Sequence, residues 1–149
     1  MLFRCIAVIA AALLATTTHA APPCALAIEG NDAMAFNVAE LVVPAGCTQV
    51  KLTLKHSGTL AAEIMGHNWV LAESANVDAL TAAAATAELA DSYLPKGDAR
   101  VIAHTPVIGG GEVASVTFST AKLKKGGDYT FFCSFPGHWS MMKGKLVVN

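Results

Sequence analysis

Beyond its N-terminal segment, the chain consists mostly of short strand-like runs separated by turn residues, and this pattern favours a β architecture. Val50, Leu52 and Leu54 alternate with polar residues, as in a strand with one buried face. Gly, Pro, Asn and Asp cluster between the runs and are typical of turns. The spacing predicts an antiparallel sandwich or barrel. The predicted strands are 25–29, 36–43, 49–55, 67–72, 101–103, 112–119, 129–134 and 143–148.

One region departs from the β pattern. From Asn76, a residue suited to an N-cap, alanine dominates through residue 94 and the period becomes helical. Pro95 then ends the helical pattern. We predict one helix inserted into a single β domain, because neither an internal repeat nor a linker marks a second domain.

The N-terminal segment is typical of a secretory signal. Arg4 precedes a short apolar run, and small residues follow up to Ala20. We predict a signal peptide over residues 1–20, cleaved after Ala20 or Ala21, and one domain over residues 21–149. An uncleaved membrane anchor is the alternative.

Charge in the exported part is nearly balanced. Without Arg4, nine Lys and Arg residues stand against eleven Asp and Glu residues. This balance indicates neither nucleic-acid binding nor a polybasic contact with a membrane.

The exported part contains an odd number of cysteines. Cys5 lies in the predicted signal, so Cys24, Cys47 and Cys133 enter a compartment in which thiols pair. Three pairings are conceivable. Cys24 and Cys47 are nearer to each other in sequence and both flank strand-like runs, so we predict that they form a disulfide and leave Cys133 free.

Cys133 opens the segment CSFPGHWSMMKG, in which three kinds of metal donor lie close together. Side chains five positions apart point to opposite faces of a straight strand. Pro136 and Gly137 can turn the chain so that His138 faces Cys133, and Met142 follows four residues later. The segment therefore predicts a loop with a thiol, an imidazole and a thioether that converge.

A complete site needs a second imidazole, and the exported part offers His56, His67 and His104 besides His138. We choose His67 because it follows Gly66 at the start of a strand-like run, where its ring can reach the end of a sandwich. A single histidine at a strand end is more often structural, so His67 counts only together with the other donors.

The donor types favour copper. Two imidazoles and a thiolate with a weak axial methionine describe the blue-copper electron-transfer site. Zinc, the alternative, usually takes four Cys or His ligands and rarely methionine. Taken singly, Cys133 could be a buried apolar residue, and Met141 and Met142 could be core filler. Only their joint spacing indicates a metal site.

Two other functions are compatible with the same residues. Cys133 and His138 could serve as the nucleophile and base of a cysteine hydrolase. Reactive thiolates usually lie at helix N-termini or beside positive charge, whereas Cys133 follows two phenylalanines at a strand end. We therefore expect that the protein is not an enzyme. A module for copper storage or delivery is the remaining alternative.

Four segments, IEGNDAMAFN, MGHNWVL, DARVIAHT and FFCSFPGHWSMMKG, closely resemble the azurin family of bacterial type 1 blue copper proteins, which are cupredoxins. The resemblance covers essentially the whole exported chain in the same order. Four residues separate Cys133 from His138 and three separate His138 from Met142, which is the azurin spacing and not that of plastocyanin or amicyanin. The resemblance implies an eight-stranded Greek-key β-sandwich with a helical flap.

The resemblance also implies a copper ligand set. Cys133, His67 and His138 would bind one copper ion equatorially, and Met142 and the Gly66 carbonyl would lie axially. The ion would cycle between Cu(II) and Cu(I), so that the protein shuttles electrons in the periplasm.

Further roles follow from the resemblance for residues around the ligands. Asn68 would tie the two ligand loops together, and the Phe135 amide would donate a hydrogen bond to the Cys133 sulfur. Cys24 and Cys47 match the family's disulfide.

In this family electrons leave through the edge of the second histidine ligand, here His138, within an apolar surface patch. Trp139 is bulky enough to enlarge this patch or to shield the His138 edge. An exposed apolar patch suits brief docking of a monomer with redox proteins such as c-type cytochromes or periplasmic reductases and dehydrogenases. The residues expected in the patch are Met34, Leu60, Met65, Pro136, Gly137 and Trp139.

Overall fold

The computed structural model describes residues 24–149. The predicted signal peptide, residues 1–20, lies outside this range. None of the helices formed by the described residues combines the length and apolar character needed to cross a membrane.

The described residues form nine strands in two sheets. One sheet has the order β2-β1-β4-β7 and the other has the order β3-β9-β8-β5-β6, once the strands are numbered along the chain. The strands are β1 (Ala25–Asn31), β2 (Ala35–Phe36), β3 (Glu40–Val43), β4 (Gln49–His56), β5 (Val70–Glu73), β6 (Ala103–His104), β7 (Val113–Ser119), β8 (Tyr129–Phe132) and β9 (Lys143–Val148).

The all-β sandwich with a helical insertion is confirmed, but purely antiparallel pairing is wrong. β1 pairs with β4 and β3 pairs with β9 in parallel, whereas the other pairs are antiparallel. The single strand predicted over 36–43 is also wrong, since it divides into β2 and β3 in different sheets. Between β2 and β3 the chain crosses from one sheet to the other. There the backbone N–H of Asn37 donates to the Glu29 carbonyl, and the side-chain oxygen of Asn37 accepts from the Glu29 N–H. These bonds hold the crossing segment against β1.

The core lies between the sheets and follows the predicted alternation. Val50, Leu52 and Leu54 of β4 are fully buried. Opposite them, the Trp69 ring lies 5.7 Å from Phe118 and 6.3 Å from Phe131, centroid to centroid. Burial of such aromatic and branched side chains supplies most of the favourable free energy of folding.

The helical insertion is shorter than predicted. Besides the single turn α1 (Ala62–Met65), the chain forms α2 (Val77–Ala84), which ends ten residues before the predicted end at residue 94. Alanines beyond Ala84 are largely exposed, so high helix propensity is not reinforced by packing there. A 3-10 turn at Leu89–Asp91 follows instead, and Ser92 and Tyr93 then adopt positive φ.

α2 covers the outer face of the second sheet. Val77 and Leu80 of α2 pack on Val70 and Ala72 of β5, together with Phe132 of β8 and Leu94. We call this set the flap cluster. Because Trp69 and Leu71 face the main core, β5 is buried on both faces.

The predicted disulfide is present between Cys24 and Cys47. Both cysteines precede strands of the first sheet, β1 and β4, which run parallel with Ala25 opposite Lys51. The bridge therefore joins the starting ends of these strands, and Asn31 and His56 lie at the other end. Within residues 24–149, Cys133 is the free cysteine.

Candidate metal centre

Three of the predicted donors meet at one end of the sandwich. The ligand atoms of His67, Cys133 and His138 all lie within 4.8 Å of one another. The Cys133 sulfur lies 3.8 Å from Nδ1 of His138. Metal bonds to nitrogen and sulfur are about 2.0–2.3 Å long, so these separations suit donors grouped around one ion. All three side chains are buried.

The loop between β8 and β9 brings Cys133 and His138 together. Cys133 directly follows β8, and its backbone N–H donates to the Met142 carbonyl at 2.9 Å, which closes the loop. Within the loop, the N–H of His138 donates to the Phe135 carbonyl, and the N–H of Met142 donates to the His138 carbonyl. This turn reverses the chain after Pro136, as the sequence predicted.

His67 enters the site from the segment before β5. Its backbone exchanges two hydrogen bonds with Ile108, at 3.0 and 2.9 Å. Its ring Nε2 lies 2.8 Å from the Asn31 carbonyl oxygen, to which it donates. This contact assigns the ring proton to Nε2 and leaves Nδ1 as an acceptor. Nδ1 is buried without a hydrogen-bond partner among the described residues, which fits a metal ligand.

Burial keeps the donors uncharged in the absence of metal. It lowers the pKa of His67, and it lowers the pKa of His138 to about 4, with further lowering from His67 and His56. Burial also raises the pKa of the Cys133 thiol to about 11, although the backbone N–H groups of Asn68 and Phe135 act in the opposite direction. Two neutral imidazoles are ready to bind a cation, whereas the thiol must release its proton when it binds.

Met142 and Gly66 border the same site. Met142 is fully buried and packs with Cys133 and Phe135. A side chain at Gly66 would collide with Val107 and with the Ala62 carbonyl, so this position requires glycine. The Gly66 backbone also acts to raise the pKa of His67, against the larger lowering by burial. Both residues therefore lie next to the three donors, and their axial contacts stay a prediction.

Asn68 connects the two donor segments. Its side-chain oxygen accepts from the Ser134 N–H at 2.9 Å, and its amide nitrogen donates to the Ser134 hydroxyl at 2.8 Å and to the Ser92 carbonyl at 3.0 Å. All these atoms are buried. Asn68 follows His67 and Ser134 follows Cys133, so the bonds join neighbours of two donors.

His56, which the sequence analysis considered and passed over in favour of His67, lies directly beside the site. Its ring stacks on His67 with centroids 4.3 Å apart and planes inclined by 14°. Nε2 donates to the Met65 carbonyl at 2.8 Å, and Nδ1 accepts from the Gly58 N–H at 3.0 Å. The alternation in β4 could have shown that His56 is buried. Val50, Leu52 and Leu54 face inward, and position 56 is the next inward position of the same strand.

Asp32 was also missed, and it organises the chain that follows His56. Its carboxylate accepts from the backbone N–H groups of Thr59 at 2.8 Å and Leu60 at 3.4 Å and from the Thr59 hydroxyl. The Thr59 amide bond is the main cause that lowers the Asp32 pKa. A charged Asp32 therefore anchors the segment that leads to Leu60 and α1.

The predicted patch residues differ in exposure. Leu60 is 38% exposed, and Pro136 and Gly137 are exposed, whereas Met34 and Met65 are half-buried. The His138 side chain, whose edge is expected within this patch, is only 3% exposed, and its ring centroid lies 4.4 Å from that of Phe135. The sequence reasoning did not include Ile64 and Met141, which are 64% and 65% exposed.

Trp139, predicted to belong to the patch, is half-buried and packs its indole against the flap cluster. The reason is the turn that starts at His138, in which the N–H groups of Met141 and Met142 both donate to the His138 carbonyl. Successive side chains of such a turn point in different directions. His138 therefore faces Cys133 while Trp139 faces the flap cluster.

Comparison with known proteins agrees with this geometry. The family model described as "Copper binding proteins, plastocyanin/azurin family" matches residues 22–149. The chain is 51% identical over 129 residues to an azurin of Achromobacter denitrificans, covering 87% of each chain. It is 52% identical over 126 residues to azurin-2 of Alcaligenes xylosoxydans xylosoxydans, covering 85% of this chain and 98% of that protein. The solved azurin Az-iso2 of Methylomonas sp. strain J is 41% identical, with a TM-score of 0.82 over 86% of this chain and 99% of that chain.

Proposed function

Because the chain belongs to the plastocyanin/azurin family of copper-binding proteins, we propose that it carries single electrons between redox proteins in the periplasm. The observation that carries this proposal is the buried meeting of one thiol and two imidazoles, with Nδ1 of His67 left free for a metal. A bound copper ion supplies the one-electron chemistry, by alternating between Cu(II) and Cu(I).

Each proposed ligand has a distinct role. His67 and His138 would bind through Nδ1, and Cys133 through its thiolate, as the equatorial ligands. Met142 and the Gly66 carbonyl would be the weaker axial contacts. Thiolate and thioether suit Cu(I), whereas imidazole also suits Cu(II), so this mixed set serves both oxidation states.

Hydrogen bonds around the donors support fast electron transfer. The Asn31 carbonyl orients the His67 ring, Asn68 joins the two donor segments, and the Cys133–Met142 bond closes the loop. These contacts involve protein atoms alone, so they can hold the donors in the same positions in both oxidation states. Similar outer contacts hold metal ligands in place and tune the metal in other sites. In this role Asn68 and the Phe135 N–H position ligands and do not bind the ion.

The His138 edge is the proposed port for electrons. His138 directly follows exposed Pro136 and Gly137 in sequence. Leu60 and Ile64, in the segment that follows His56, are exposed apolar residues that we include in the same proposed patch. A monomer with such a patch suits brief encounters with c-type cytochromes or with periplasmic reductases and dehydrogenases. Export through the predicted signal peptide is part of this proposal.

We further propose that the protein transforms no substrate. The Cys133 thiol is fully buried, and burial raises its pKa to about 11. A nucleophilic cysteine needs the opposite environment, with access to substrate and a lowered pKa. Hydrolytic turnover by the copper-free protein would contradict this part of the proposal.

Replacement of Cys133 by Ser tests the assignment. The copper-loaded protein should show an intense visible absorption from charge transfer between thiolate and Cu(II), and Cys133→Ser should abolish it. Met141→Leu is the matched control, because this neighbouring methionine is largely exposed and should leave the absorption unchanged. A blue Cys133→Ser variant would refute the assignment. Rapid electron self-exchange with the metal retained would favour a carrier, whereas ready transfer of copper to an acceptor protein would favour storage or delivery.

A further inference from the structure

Trp139 lies in the loop from Cys133 to Met142, which we call the metal loop, but its side chain packs outside the site. Its indole packs against the flap cluster, in which Leu80 of α2 and Phe132 of β8 are fully buried. The Lys143 ammonium lies 5.8 Å from the indole centroid, within the range of a cation–π contact. The contacts of Trp139 therefore extend from the flap cluster to the first residue of β9.

The residues around this indole are sequence neighbours of the metal donors. Phe132 precedes Cys133, Trp139 follows His138 and Lys143 follows Met142. Each proposed ligand of the loop is thus adjacent in sequence to a residue that contacts the flap cluster or the indole.

The turn after Pro136 couples the backbone position of His138 to that of Trp139. The His138 carbonyl accepts from the N–H groups of Met141, at 3.0 Å, and Met142, at 2.8 Å. Because these bonds hold residues 138–142 in one turn, an indole fixed against the flap cluster also restricts rotation of the His138 backbone. Loss of the indole would leave a void that the loop could fill only by shifting.

We propose that Trp139 is a positioning residue that fastens the metal loop to the flap cluster, so that the packing of α2 within this cluster affects how firmly His138 is held as a copper ligand. This inference rests on the proposed function, since it concerns the same site. It assigns the helical flap a part in the copper centre, although no residue of α2 is a proposed ligand.

Copper release from matched variants tests this inference. Trp139→Ala and Leu80→Ala should each speed copper loss to an excess chelator by about tenfold, the lower end of the effect of outer contacts on metal affinity. Trp139→Phe should lose copper at a rate close to that of wild type. The double variant should release copper no more than about twofold faster than either single variant, because both changes remove the same support. The hyperfine splitting of Cu(II) should change in Trp139→Ala and recover in Trp139→Phe.

Leu26→Ala is the control for a general loss of stability. Leu26 is a half-buried core residue near the disulfide end of β1, about five residues from the end of β1 that lies near His67. Its replacement by alanine should lower the stability of the protein without changing copper release. If Trp139→Ala released copper at the wild-type rate, the inference would be overturned. The same holds if the accelerations caused by the two single changes multiplied in the double variant.

Amide exchange in the copper-free protein separates this inference from the proposed function. Leu80→Ala should increase exchange of the Met141 and Met142 amides, which donate to the His138 carbonyl. If wild type failed to form a blue copper site while this increase was present, the proposed function would fail and the fastening would stand. If wild type formed a blue copper site but Leu80→Ala left the exchange rates of the Met141 and Met142 amides unchanged, only the proposed role of Trp139 would be refuted.

Discussion

Gly30 of β1 lies so close to the His67 ring that a Cβ at position 30 would be 2.7 Å from Cδ2 of His67. The same Cβ would be 3.3 Å from the terminal methyl carbon of Met142. Glycine therefore lets β1 approach two proposed ligands at once. The adjacent Asn31 carbonyl can then accept from His67.

Gly30→Ala should displace the His67 ring, because no real Cβ contact is that short. We expect weaker copper binding and an altered Cu(II) spectrum, measured by chelator competition and electron paramagnetic resonance. Gly126→Ala is the control: its φ of +72° makes alanine cost about 1 kcal/mol, but the added Cβ meets open space. If Gly30→Ala kept the wild-type spectrum, His67 would not be held as described.

Asn68→Ala should destabilise the copper-free protein by roughly 3 kcal/mol, because three buried hydrogen bonds are lost and the Ser134 N–H is left without a partner, while the Ser92 carbonyl keeps its bond from the Ser134 hydroxyl. Urea unfolding measures this loss. The variant should also release copper faster than wild type, since the two donor segments are no longer joined. A loss of stability without faster release would show that Asn68 acts on the fold alone.

Removal of the disulfide should separate stability from the metal site. Cys24→Ala combined with Cys47→Ala opens a link across 23 residues, which typically costs about 3 kcal/mol. Because the bridge joins the strand ends opposite Asn31 and His56, the visible spectrum of the copper protein should not change. A changed spectrum would indicate that strain at one end of β1 reaches the other.

Asp98 should contribute stability that depends on pH. The Arg100 guanidinium lies beside its carboxylate, with Nε 2.9 Å from Oδ1, and lowers the Asp98 pKa from 3.8 to about 2. Because the folded pKa is the lower one, this stability is present above pH 3.8 and is lost as the pH falls through about 2. Asp98→Asn should therefore be less stable than wild type at pH 5, and the difference should shrink towards pH 2.

Urea unfolding of the copper-free proteins between pH 5 and pH 2 measures this difference. Arg100→Gln should show the same loss, and adding it to Asp98→Asn should cost little more, since both changes remove one ion pair. A difference that stayed constant down to pH 2 would contradict the assigned pair.

The sequence by itself determined the local parts of the metal centre. Cys133, His138 and Met142 lie within one short loop, and a turn at Pro136–Gly137 leaves few ways to arrange such a loop. Alternation in β4 likewise determined which side chains face inward, because the period of a strand is a local property. The pairing of Cys24 with Cys47 was also accessible, since both flank strand-like runs.

Only the tertiary structure decided contacts between distant segments. The Asn31 carbonyl reaches His67, and the indole of Trp139 packs against the flap cluster. Residues 36–43 divide between two sheets, and α2 ends at Ala84 where burial ends. Local preferences amount to fractions of a kcal/mol per residue, whereas packing of sheets and helix buries whole side chains worth a few kcal/mol each, so packing decided these features.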